Sequence, residues 1–124
     1  MPATVAPPAA NYAHAVLSEA PEKLLHTSGV VPIARDGSTP ADIGLQAEVV
    51  WANIGAMLAE AGMGFDDVVS VTTYVVVDQL DALGQVMAAR DASLGNHRAA
   101  STLVTVPALA RPEWLMEIAV VAAR

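Results

Sequence analysis

The chain has no cysteine among its 124 residues, which excludes disulfides and thiolate metal sites. It is also short of positive charge. Only 6 lysines and arginines stand against 13 aspartates and glutamates, a formal net charge of −7. Such a surface repels phosphate backbones and argues against nucleic acid or an anionic membrane as a general partner. A single arginine-lined cleft can still capture a small anion. Aromatic residues are scarce as well: 2 Trp, 2 Tyr and 1 Phe make a poor base-stacking platform. No apolar run approaches the ~18–20 residues that cross a bilayer. The opening stretch from Met1 to Ala10 is apolar but broken by Pro2, Pro7 and Pro8, and it lacks a charged start. It does not read as a signal peptide, and the expected setting is cytoplasmic.

Apolar residues, by contrast, are abundant. They make up 54% of the chain, and the mean hydropathy is +0.45. A domain this small leaves a large share of its surface in water. That much apolar surface predicts burial against other copies of the chain. No repeat or linker divides the sequence, so residues 1–10 read as a loose arm and 11–124 as a single domain.

Tyr12–Ser18 and Lys23–Ser28 read as short strands separated by a turn. The first helix is signalled by Thr39 as N-cap, Pro40 at its first position and Asp42 in its first turn. Ile43, Ala47, Val50, Ile54, Leu58 and Ala61 then recur at steps of three and four, and Gly62 and Gly64 stop the helix. Val68–Val77 is β-branched and apolar on both faces, as a central strand should be. Asp78 is placed to cap a second helix with Leu80, Leu83, Met87 and Leu94 inward and Gly95 as its stop. Strands Ala99–Val106 and Glu113–Ala122 follow. These elements predict an α+β fold: a mixed sheet with two helices on one face and an apolar opposite face in need of a partner.

Glu117 is the most informative candidate. It shares one face of the last strand with Leu115, Ala119 and Val121, where a carboxylate is costly to bury without a partner. Either that face is wet or ion-paired at Glu117, or the carboxylate has work to do. Arg98 stands at an element boundary and offers a planar fork suited to a carboxylate, although a solvated surface arginine is the ordinary reading. His14, His26 and His97 show no metal-ligand spacing and read first as structural. Ser28-Gly29 ends a strand, where a glycine permits close backbone approach or simply a turn. Tyr12 is either a packing residue or a site hydroxyl.

Taken in order, these segments resemble the RidA/YjgF family, also called endoribonuclease L-PSP. Tyr12-Ala-His-Ala-Val16 is similar to the family's P-Y-S-Q-A-V opening, and His26-Thr-Ser-Gly29 to its I-S-G-Q segment. Asp42 through Gln46, Ala52-Asn53-Ile54 and Leu58 through Gly62 resemble its D-x-x-x-Q…N-I…L…A-G helix. The Val68–Val75 strand, Arg98-Ala-Ala with Pro107 beyond it, and Glu117-Ile-Ala-Val complete the series from about Asn11 to Ala122.

The resemblance implies a chorismate-mutase-like subunit and a homotrimer with clefts between subunits. It implies that Arg98 grips a substrate carboxylate, that Gly29 and the backbone near Ala100 hold the ligand, and that Tyr12, Ser28 and Glu117 line the site. The implied reaction is hydrolytic deamination of reactive enamines or imines of the 2-aminoacrylate type to 2-oxo acids and ammonia. Glu117 orients the water, and neither a metal nor an organic cofactor is needed. A trimer that binds a small carboxylate or a protein without turnover, and a pathway enzyme acting on a larger imine, are the alternatives. The chain departs from the family pattern at Val30, Gly84, Met87, Asn96-His97 and Ala100, and its Pro107–Glu117 turn is about two residues longer. The anchor is kept while the pocket wall changes, which makes His97 a candidate new polar contact.

Overall fold

A computed structural model describes residues 2–124. Four strands form one sheet in the order β1-β4-β2-β3: β1 Leu24–His26, β2 Val68–Val76, β3 Ala100–Val106 and β4 Met116–Ala123. β2 and β3 run parallel, while β4 lies antiparallel to both β1 and β2. Helix α1, Ile43–Glu60, packs on β4, and α2, Leu83–Leu94, packs on α1. This is the expected mixed sheet with two helices on one face. Among the described residues, no helix is long and apolar enough to cross a membrane.

The α1 stripe buries as its periodicity predicts, with Ile43, Ala47, Val50, Ile54 and Leu58 all in the core beside Trp51. The N-cap is Asp42 rather than Thr39: its Oδ2 accepts from Leu45 N at 3.0 Å. A carboxylate at that point meets both a free amide and the positive end of the helix dipole, so it outcompetes a hydroxyl three residues earlier. Beyond Ala61, Gly62 takes φ +71, with Gly62 N bonded to Ala59 O and Met63 N to Leu58 O. This is the paired closure that ends many helices.

Three elements differ from expectation. Tyr12–Ser18 is not a strand; it touches the sheet only through an Ala13–Ala100 bridge, and Leu17 is 83% exposed. With no burial to gain, alternation alone does not make a strand. The second helix begins at Leu83, not beside Asp78, because Val77–Ala82 is a 3-10 segment kinked at Gln79. The kink changes the helical phase. Val86, Arg90 and Leu94 are the buried residues of α2, Met87 is half-buried, and Leu80 is exposed. The last strand starts at Met116, since Gln46 occupies the backbone just before it. Gln46 Nε2 donates to Pro40 O and Glu113 O, both at 2.8 Å, and its Oε1 accepts from Leu115 N at 2.9 Å. Gln46 is fully buried, so these bonds replace water that its amide cannot reach.

Candidate functional site

β4 divides cleanly between its faces. Met116, Ile118, Val120 and Ala122 point into the core, whereas Glu117, Ala119 and Val121 lie half-buried on the side away from the helices. Val30 pairs with Ile118, which brings the segment after β1 alongside β4. Gly29 therefore lies against Glu117. A Cβ built on Gly29 would fall 1.6 Å from Glu117 Oε2, so the carboxylate occupies the space that any side chain there would need. Among the described residues the salt bridge is Arg90–Asp91, and Glu117 has no cationic partner. Ser28, Gly29, Thr27, Asn53 and Met57 line a cavity of about 440 Å³ next to this patch.

Arg98 belongs to the other end of the sheet, just before β3. Its Nη1 donates to Gly95 O at 2.8 Å and to His97 O at 3.2 Å, and its Nη2 donates to Asn11 Oδ1 at 3.4 Å. All these acceptors are neutral, so the guanidinium is held in place with its charge unbalanced. Three of its ~five N–H donors are used, leaving Nε–H and one Nη2–H for an anion. Tyr12 lines a cavity with Arg98, and Tyr12 Oη accepts from Ala9 N at 3.3 Å. Ala100 opens β3 half-buried and is bridged to Ala13. The His97 ring is turned inward, its Nε2 at 2.6 Å from Val68 O, and it does not line the Arg98 cavity.

The structure thus brings Gly29 to Glu117 and Tyr12 to Arg98, but keeps the two pairs apart within one chain. β3 begins opposite Ser70, whereas Glu117 lies opposite Tyr74. Those four residues span roughly 13 Å at ~3.3 Å each, and two strand spacings of ~4.8 Å are added sideways. One small carboxylate cannot reach both.

Sequence reasoning missed Asn11. It holds Arg98 on one side and donates from Nδ2 to Asp91 Oδ2 at 3.1 Å on the other. Its position directly before Tyr12 was the available signal.

The sheet order and the two helices on one face define a class: small α+β proteins of the YjgF fold. The chain belongs to the endoribonuclease L-PSP family, whose sequence pattern matches residues 3–124. It is similar in structure to YyfB of Yersinia pestis, a protein of unknown function in the conserved Rid family. The TM-score is 0.82 and the identity 32%, over 92% of this chain and 87% of that one. It is also similar to the YjgF gene product of E. coli, with a TM-score of 0.75 and 27% identity over 92% and 94% of the two chains. NMB1025 of Neisseria meningitidis, a YjgF family member, aligns with a TM-score of 0.71 and 27% identity over 82% and 79%. No protein with a curated description matches the sequence.

Proposed function

We propose that this protein hydrolyses carboxylate-bearing enamines or imines to 2-oxo acids and ammonia, in a homotrimer whose clefts lie between subunits. The observation that carries the reading is the Arg98 guanidinium, pinned by neutral oxygens and left with donors for an anion. An enamine tautomerises to its imine. The Arg98 fork takes the carboxylate through charge-assisted hydrogen bonds. Glu117 orients a water toward the imine carbon; the C–O bond forms, the C–N bond breaks, and the nitrogen leaves as ammonia with the protons of the water.

The distance between the Arg98 and Glu117 patches supports a second copy as the missing half of the site. Edge strand β3 gives that copy a seat: Leu103 and Val104 are exposed on it, and an open apolar edge is a template for association. Gly29 and Ser28 would then face the ligand from one subunit, and Tyr12, Ala100 and Arg98 from its neighbour. His97 acts by fixing the backbone before Arg98. The family's ribonuclease name is not carried over, because the net charge of −7 disfavours a phosphate backbone.

The test is ammonia release from enzymatically generated 2-aminoacrylate by the parent and by Arg98→Ala. Acceleration by the parent and its loss in the variant support the reading. Saturable binding of the corresponding 2-oxo acid without any ammonia release would instead make the protein a carboxylate binder.

A further inference from the structure

The N-terminal arm does not trail away from the domain. Val5 N bonds to Pro2 O at 3.2 Å, Ala9 N donates to Tyr12 Oη, and His14 Nε2 lies 2.5 Å from Ala6 O. Tyr12 and His14 meet edge to face at 5.8 Å. The arm is tied to the body by Ala13 N donating to Ala99 O at 3.0 Å and by the Asn11–Asp91 bond. Folded back in this way, it encloses a cavity of about 330 Å³ in which Pro2, Pro8, Tyr12, Ala13, His14 and Ala15 supply the wall and Arg98 the permanent charge. Cavities from ~300 Å³ upward suit ligands well beyond three carbons. Two proline rings present a stiff apolar surface, since their φ is fixed before any ligand arrives. Asn11 Oδ1 accepts from Arg98, so arm and anchor are a single unit.

We propose that this cavity is a specificity pocket, and that it selects carboxylates carrying a branched or extended apolar substituent over three-carbon acids. The proposal rests on Arg98 as the carboxylate anchor of the reading above; it adds the arm as the wall that reads the rest of the molecule. Each methylene buried against that wall adds roughly fourfold in affinity.

Binding of two 2-oxo acids, pyruvate and 4-methyl-2-oxopentanoate, tests it by titration calorimetry without any turnover. The full-length protein should bind the branched acid at least tenfold more tightly, and Arg98→Ala should lose both acids. His14→Ala, which unties the arm at Ala6 and removes part of the wall, and Pro8→Ser, which softens the wall, should each pull the ratio toward one. Equal affinities in the parent, no binding of either acid, or a preference that survives both arm variants would overturn the pocket. Selective binding as described, with no deamination of any imine, would leave the pocket standing and remove the deaminase reading alone.

Discussion

The two faces of β4 have the same backbone and nearly the same sequence texture, yet they carry different responsibilities. Met116, Ile118, Val120 and Ala122 are sealed between sheet and helices, while Glu117, Ala119 and Val121 look out from the other side. A residue of the inner set is held by many neighbours and is felt as stability. One of the outer set has fewer, and is felt as what the surface can do. The period of two places a carboxylate one position away from a core isoleucine, with neither disturbing the other.

Substitutions can break that division. The largest expected effect is on turnover: Glu117→Gln should lower kcat for imine hydrolysis by about 10²–10⁴-fold, the usual range for a positioned acid or base. Its denaturation midpoint should stay close to the parent's, and a large loss of stability would move Glu117 into the structural set. On the inner face, Ile118→Ala should cost about 2–5 kcal/mol in urea unfolding, because it removes buried methylenes and leaves a cavity. Gly29→Ala comes next: its Cβ would displace the Glu117 carboxylate, and misplacement by ~1 Å can cost ~10²-fold in rate. The combination Gly29→Ala with Glu117→Gln should then be no worse than Glu117→Gln alone. In the proposed trimer, Leu103→Lys on the exposed β3 edge should favour monomers in analytical ultracentrifugation and lower turnover while the subunit stays folded.

The smallest effect is one of pH. Asp36 sits below its ordinary value of 3.8, chiefly because Ser38 donates its hydroxyl to the carboxylate and secondarily its backbone N–H. A depressed carboxylate stabilises the folded turn above that ordinary value, and the contribution fades as pH falls through the lowered one. The Ser38 amide signal should titrate with a midpoint below 3.8 and stop titrating in Asp36→Asn.

Much of the fold was readable from local rules. The α1 stripe buries the residues its period selects, and the β-branched run of β2 forms an interior strand of the sheet. The errors came where a distant partner decides the outcome. Thr39 is a sound N-cap until Asp42 is seen to hold Leu45 N, and Glu113–Leu115 looks like strand until Gln46 claims its backbone. Tyr12–Ser18 alternates well, but only Ala13 finds the sheet. For the candidate site, the outward face of Glu117 follows from its register in the strand. The closeness of Gly29 does not, because it depends on pairing between residues nearly ninety positions apart. The hold of Asn11 on Arg98 spans a similar gap in sequence and was equally invisible.

Sheet order has one more consequence. β4 is the last strand in the chain, yet it lies between β1 and β2, which do not touch one another across it. While the polypeptide is being synthesised, β1 therefore has no strand neighbour and β2 lacks one of its two until Met116–Ala123 has left the ribosome. The amide of Gln46 likewise waits for Glu113 and Leu115. Such a subunit cannot close early. It closes only once β4 has emerged, and loss of Met116–Ala123 would take away the strand that joins β1 to β2.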